Sequence, residues 1–323
     1  MKKNIKTAVI GVGNMGRNHA RIYSTISHLV AVADTNPQIG KSIADNLGAN
    51  FYTDYKEMLD KEIIEAVSVA VPTKLHKEIT LECLKRKIPV LVEKPLADTL
   101  DNAEAIAKTA NKVGVPLMVG HIERFNPVVI KLKNLLDQGK FGAIVSLLAI
   151  RIGNIPPKTA DSDVVIDLAI HDIDIFNFLL GELPLTWITK TSKLAQYNNI
   201  ADSASLLLEY KTALGMVQTN WITPTKMRKL YITGTKAFAE VDYINQELVF
   251  YDQFAREKRE RSFREFISRY TPKKKETIIE KKEPLKEELI SFLECVLNNK
   301  VINYRYAIDA MKIALTCRHS YGS

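Results

Sequence analysis

At 323 residues, 46% hydrophobic and 25% charged, the chain has the profile of a soluble globular protein with apolar material for two cores. No apolar run is long enough for a membrane span, and Cys83, Cys295 and Cys317 show neither metal-ligand spacing nor a disulfide framework, which fits a reducing compartment. The net charge of +8 comes without a recognisable nucleic-acid-binding motif, so neither nucleic acid nor membrane is expected as a partner.

The start, Met1-Lys2-Lys3, looks like the basic head of a signal peptide, but the apolar stretch at 8–12 is too short and runs into a glycine-rich turn. The expected location is therefore cytoplasmic. Over the first 120 residues, short apolar runs at 7–10, 30–33, 66–71, 89–92 and 116–119 alternate with helical patterns. Most are rich in valine and isoleucine without polar alternation, as in strands buried on both faces. Strands alternating with helices predict a right-handed parallel sheet. The fifth run ends near Gly120, where the first domain is expected to stop.

The first run leads into Gly11-Val12-Gly13-Asn14-Met15-Gly16, a GxGxxG between a strand and a helix. Gly11 permits the tight turn, Gly13 lets the backbone approach a pyrophosphate, and Gly16 allows close packing of helix on strand. A helix N-terminus then receives the phosphates. The second run ends at Asp34, 18 positions after Gly16, where an acid can accept hydrogen bonds from ribose hydroxyls and repel a 2′-phosphate. An Asx turn before Pro37 is the competing role for Asp34. Strand, loop, helix and acid together predict a Rossmann-type, doubly wound domain that binds NAD.

Ligands of such sheets lie outside the carboxyl ends of the strands. The third run leads to Val71-Pro72-Thr73-Lys74-Leu75-His76 and the fourth to Glu93-Lys94-Pro95. A lysine at the mouth of a buried strand is partly desolvated, suited to take a proton or to stabilise a developing alkoxide. A plain surface lysine is the alternative.

Beyond Gly120, extended segments at 143–151 and 186–252 are joined by short turns, which predicts an open, mainly antiparallel sheet in a C-terminal α+β domain. Helical patterns at about 163–180, 284–298 and 304–319 would cover one of its faces. In the first of these, Asp167 and His171 are four residues apart and share a face, with Asp174 a turn further. A thin polar stripe on a largely apolar helix suits a cleft; an amphipathic helix showing its wet side is the alternative. Residues 254–286 hold twelve Lys/Arg against six Glu, a local charge of +6. This is either a solvated face of mixed sign or an electrostatic collar for an anionic ligand.

The GxGxxG start, Pro72-Thr73-x-x-His76, Glu93-Lys94-Pro95 and Asp167-x-x-x-His171 together resemble the glucose–fructose oxidoreductase / inositol dehydrogenase (Gfo/Idh/MocA) family over nearly the whole chain. The resemblance implies two domains, 1–120 for NAD and 121–323 for substrate and oligomerisation, and a homodimer or homotetramer. It also implies a catalytic group of Lys94, Asp167 and His171, and a cis Lys94–Pro95 bond. The NAD contacts it implies are Gly11, Gly13, Asn14, Met15, Gly16, Asp34, Val71, Thr73, His76, Glu93 and Lys94. No metal is implied. The chain ends at Ser323, so a short final strand of some members is expected to be missing.

The segments 121–127, 221–228 and 283–286 look like those of the branch that oxidises C3 of UDP-N-acetylglucosamine. That likeness implies Arg124, Asn126, Lys226 and Arg228 as substrate contacts. If Lys226 and Arg228 alternate on a strand, both face one side and could meet a diphosphate; a solvent-facing strand edge is the alternative. A sugar or nucleotide-sugar dehydrogenase is thus expected. The alternatives are an inositol, polyol or free-sugar dehydrogenase and a non-catalytic NAD-binding regulator.

Overall fold

Strands β1 (Lys6–Ile10), β2 (His28–Ala33), β3 (Asn50–Tyr52), β4 (Ala66–Val69), β5 (Val90–Glu93) and β6 (Leu117–Gly120) form one sheet in the order β3-β2-β1-β4-β5-β6. Every pair in it is parallel. The structure is a computed structural model that describes residues 5–153, 162–193, 200–252, 274–300 and 303–318. Every residue of β4, β5 and β6 is buried, as expected of parallel strands covered on both faces. Edge strand β3 was not among the expected runs. It has only three residues, none of them buried, so it carries no apolar signature.

Helices α1 (Gly16–Ile26), α2 (Pro37–Leu47), α3 (Tyr55–Lys61), α4 (His76–Lys85) and α5 (Leu100–Val113) alternate with these strands. Side chains fix several starts. Asn36 accepts from the N–H groups of Gln38 and Ile39, Asp54 from Lys56, and Thr99 from Asn102.

After α6 (Pro127–Asp137) comes an eight-stranded sheet. Its strands are β7 (Ile144–Ile152), β8 (Thr186–Ser192), β9 (Ser203–Glu209), β10 (Leu214–Asn220), β11 (Met227–Gly234), β12 (Ala237–Asp242), β13 (Glu247–Asp252) and β14 (Lys274–Thr277). The order is β14-β13-β12-β11-β7-β10-β9-β8, and only β10–β7 is parallel. Helix α7 (Ile170–Leu180) packs on one face, touching β7 and β10, and ends at a left-handed Gly181. The basic segment 254–286 falls largely on 253–273, outside the described residues.

Two helices follow, α8 (Pro284–Leu297) and α9 (Arg305–Arg318). The chain divides into two compact units, Met1–Phe125 with Glu283–Lys312 and Asn126–Lys282 with Ile313–Ser323. Helix α8, expected from its position in the chain to cover the second sheet, belongs instead to the first unit. Leu285, Leu289, Phe292 and Leu293 join the core of the first unit, among Val9, Tyr23, Leu91 and Met118. Amphipathic spacing sets which side of a helix is buried but not which sheet buries it.

Candidate active site

The glycine loop is built for a close approach. Gly11 has φ +83°, and a Cβ there would lie 2.6 Å from the Ala70 carbonyl oxygen. At Gly16 a Cβ would lie 1.8 Å from the Gly11 carbonyl oxygen, so nothing larger than glycine fits the helix against its strand. At Gly13 a Cβ would meet nothing within 4 Å, and Gly13, Asn14 and Met15 are exposed. An open, side-chain-free backbone thus leads into the N-terminus of α1, which fits a dinucleotide pyrophosphate. Asn14 accepts from the Arg17 guanidinium at 3.1 Å and bonds Asn18 through its own carbonyl, so it builds the first turn.

Asp34 has two jobs. Its Oδ2 accepts the Val12 N–H at 2.8 Å, which ties the glycine loop to the end of β2. Its Oδ1 accepts the Asn36 N–H at 2.8 Å, the Asx-type bond of the alternative reading. Half-buried at the strand end, it stands where the ribose reading needs an acceptor.

At the next strand ends, Val71 and Thr73 are half-buried, and Thr73 opens a 3-10 turn, Thr73–Leu75. His76 is buried, with Nδ1 2.8 Å from the Pro95 carbonyl oxygen and Nε2 2.9 Å from that of Val71. Burial holds it below the usual histidine range, against the two carbonyls that favour the charged form. Both ring nitrogens therefore face backbone, which the expected cofactor contact did not anticipate.

Lys94 is the one residue of 90–97 that is not buried, and its bond to Pro95 is cis. Glu93 beside it is 9% exposed and bonds His19 Nε2 at 2.9 Å. Burial opposes charge on Glu93, but the His19 hydrogen bond and attraction from His19, Lys94 and His76 outweigh it and hold the carboxyl below its ordinary range.

In the second unit, Asp167 lies in a π-helical turn, Val165–Ala169, that runs directly into α7. Such turns displace side chains from regular helical spacing and recur at functional sites. Within 163–177 only Asp167 and His171 escape burial. Asp167 Oδ2 accepts the Trp221 indole N–H at 3.1 Å. Asp174, expected on the same stripe, is buried instead. Next to His171, Asp172 forms a bidentate pair with Arg151 at 2.7 and 3.0 Å, both side chains buried. The sequence reading missed Arg151, although a single charged residue in the mostly apolar strand β7 was a signal. It also missed His19, on the same helix face as Ile22 and Tyr23, and Glu288 within the apolar stripe of α8.

The four expected substrate contacts separate. Lys226 is exposed in the loop before β11, whereas Arg228 is buried inside the strand. The Arg228 guanidinium donates to the carbonyls of Ile152, Met227 and Gly153 at 2.6, 2.8 and 3.2 Å. Residues two apart share a side only where both lie in the strand, and β11 starts at Met227. Asn126 is buried, caps α6 at Val128 N–H and donates to the Tyr243 carbonyl. Arg124 lies over the Tyr306 ring, 3.8 Å from its centroid. Among the described residues no cluster of His, Cys, Asp or Glu could hold a metal, and no helix is long and apolar enough to cross a membrane.

A family model described as an oxidoreductase family with an NAD-binding Rossmann fold (GFO_IDH_MocA) matches residues 5–121, and the family's C-terminal domain model matches 129–240. UDP-N-acetylglucosamine 3-dehydrogenase of Acidithiobacillus ferrooxidans is 30% identical over 254 residues, 78% of each chain. The chain belongs to the Gfo/Idh/MocA family. Like other members named as dehydrogenases, it is an NAD-dependent oxidoreductase acting on a CH–OH group. Another member, inositol 2-dehydrogenase of Rubrobacter xylanophilus, is 32% identical over 233 residues, 68% of this chain and 66% of that one. The solved structure of UDP-N-acetylglucosamine 3-dehydrogenase GnnA from A. ferrooxidans superposes with a TM-score of 0.85 at 25% identity, covering 98% of this chain and 97% of that one. The parallel sheet and the mainly antiparallel sheet of this chain are the architecture of the Gfo/Idh/MocA fold.

Proposed function

We propose that this Gfo/Idh/MocA enzyme oxidises C3 of UDP-N-acetylglucosamine to a 3-keto sugar, with Lys94, Asp167 and His171 as its catalytic residues. The observation that carries the assignment of residues is their exposure: each is half-exposed in a stretch whose other residues are buried. The substrate rests on the likeness to the A. ferrooxidans 3-dehydrogenase over 78% of both chains. The first unit binds NAD through Gly11, Gly13, Asn14, Met15, Gly16, Asp34, Val71 and Thr73. The second takes the substrate and assembles into a dimer or tetramer in the cytoplasm.

NAD, when bound, supplies the acceptor for the hydride that leaves the oxidised carbon. His171 removes the hydroxyl proton as general base, and Asp167, held by the Trp221 indole, orients it and favours its charged form. Lys94 positions the substrate oxygen and stabilises the negative charge that develops there. Exchanging the roles of Lys94 and His171 leaves the proton balance unchanged. Lys226 offers an exposed cation to a diphosphate, while Arg228 holds the backbone of Ile152, Met227 and Gly153, and Asn126 holds the start of α6 and the Tyr243 carbonyl. Lys94→Ala and His171→Ala are each expected to cost on the order of 10² to 10⁴ in rate, and a double variant with near-normal turnover would refute the assignment.

The relative named inositol 2-dehydrogenase, at 32% identity, favours a second reading, a polyol or free-sugar dehydrogenase. The deciding experiment incubates the protein with NAD and either UDP-N-acetylglucosamine, inositols or free hexoses. It follows NADH absorbance and the mass of the sugar, with and without an aminotransferase to trap the ketone. Loss of two hydrogens from the UDP-sugar without the aminotransferase, and replacement of a hydroxyl by an amino group with it, is the expected result; turnover of inositol or hexose without either decides for the second reading.

A further inference from the structure

We infer that two buried histidines, His19 and His76, are positioning residues that clamp the backbone on either side of Lys94, one through Glu93 and the other through Pro95. The inference rests on the reading of Lys94 as a group that acts on the substrate oxygen. A lysine ammonium sits on a flexible four-carbon stem, so its placement depends on where its backbone is anchored. A misplacement of about 1 Å at a reacting centre can cost on the order of 10²-fold in rate.

The ladder of β5 with β6 ends at the Glu93–Gly120 pair, just before Lys94. Beyond that point side chains provide the anchors. Glu93 Oε2 accepts the Lys94 N–H at 3.3 Å, and its Oε1 accepts from His19 Nε2 at 2.9 Å. Behind His19, Ser68 Oγ is 3.1 Å from Nδ1, and the Tyr23 hydroxyl is 2.9 Å from Ser68 Oγ. A carboxylate only accepts, so His19 donates to Glu93 from Nε2; in a neutral ring Nδ1 then accepts from Ser68, which in turn accepts from Tyr23. Gly120 closes the other side, since a Cβ there would be 3.2 Å from the Glu93 carboxyl. On the far side of Lys94, Pro95 has no N–H to give, and its carbonyl is held by His76. The second ring nitrogen of His76 faces the Val71 carbonyl, at the end of the neighbouring strand run, and a neutral ring donates to only one of the two carbonyls. His19 is 0% and His76 1% exposed, and every ring nitrogen of the two faces protein. Buried polar rings are costly unless bonded, and here their bonds converge on the residues flanking Lys94.

Amide side chains separate the two nitrogens, because asparagine places its NH₂ near Nδ1 and glutamine near Nε2. His19→Gln keeps the tie to Glu93 and His19→Asn does not. His76→Asn keeps the tie to Pro95 and His76→Gln does not. The expected result is that kcat of His19→Gln and His76→Asn stays within about tenfold of the unmodified enzyme while their counterparts fall on the order of 10²-fold. The KM for NAD and the thermal midpoint should match within each pair. Equal turnover within both pairs, or losses that follow the thermal midpoints, overturns the inference. Nitrogen-15 spectra of the unmodified protein give an independent reading, expected to show a proton on Nε2 of His19 and on Nδ1 of His76; the opposite tautomers overturn it. Lys94→Ala, assayed in parallel, separates the two claims. If it retains turnover, the reading of Lys94 fails; if it loses turnover while all four histidine variants behave alike, only the clamp fails.

Discussion

Glu288 is an acid in the middle of an apolar stripe. It is fully buried on α8 among Leu285, Leu289 and Phe292, and neither carboxyl oxygen has a hydrogen-bond partner. Burial, and then the charge on Glu93, raise its carboxyl well above the ordinary 4.5. The folded chain therefore holds this proton more tightly than the unfolded chain does. The associated stability is complete below the ordinary carboxyl value and declines as pH rises through the raised folded one. Glu288→Gln is neutral at every pH and should flatten that decline, gaining more in urea midpoint at about pH 9 than at about pH 5. An unchanged slope would refute the protonated state. Asp34 acts at the same scale through its charge. Asp34→Ser removes the repulsion of a 2′-phosphate and should move the NADP-to-NAD binding ratio at least about tenfold toward NADP, near 1.4 kcal/mol. It also removes the tie to the Val12 N–H, so the affinity for NAD itself should fall. A wild-type preference for NADP in a binding titration would contradict this role.

At the scale of elements, α7 and β7 are joined by the Arg151–Asp172 pair, in which two charges are buried together beside His171. Arg151→Met leaves Asp172 buried without that partner and should cost about 3–5 kcal/mol of stability. Adding Asp172→Leu should recover much of the loss, because an apolar pair of similar size carries no desolvation penalty. Chemical denaturation of the two variants measures both steps; equal stability of the single and double variants would mean that the pair contributes little. The apolar runs located five of the six parallel strands, because strands buried on both faces have no polar alternation. They passed over Asn50–Tyr52, whose pairing with β2 comes from the neighbouring strand rather than from its own side chains. The π-helical turn at Val165–Ala169 was not visible in the spacing either, since a four-residue interval reads the same in a regular helix.

For the whole molecule, the open face of the eight-stranded sheet bears directly on assembly. Cross-strand register aligns Ile188, Leu207, Met216, Leu148 and Tyr231 into one apolar row across five strands. Ile188 is 71% exposed, and Leu207 and Met216 are about 40% exposed. A two-fold partner presenting the same row would bury it against its own copy. Met216→Glu placed at the centre should shift the protein to monomers in sedimentation or light scattering while leaving its unfolding transition in place. A wild-type protein that is monomeric at micromolar concentration would contradict the assembly.

Local chemistry alone determined much of this protein. The Gly11, Gly13 and Gly16 positions, the acid at Asp34 and the Glu93-Lys94-Pro95 strand end could be read in the sequence because each answers a constraint set within a few residues. A tight turn, a close backbone approach and a strand mouth are short-range requirements. The tertiary structure decided what depends on long-range contact. It placed α8 in the first core, buried Arg228 away from Lys226, and gave Arg151 its partner on α7. It also brought His19, Ser68 and Glu93 together, three residues from three elements separated by 49 and 74 positions of chain. Hydrophobic periodicity tells which face of an element is buried but not against which neighbour, and a buried hydrogen bond exists only once that neighbour is chosen.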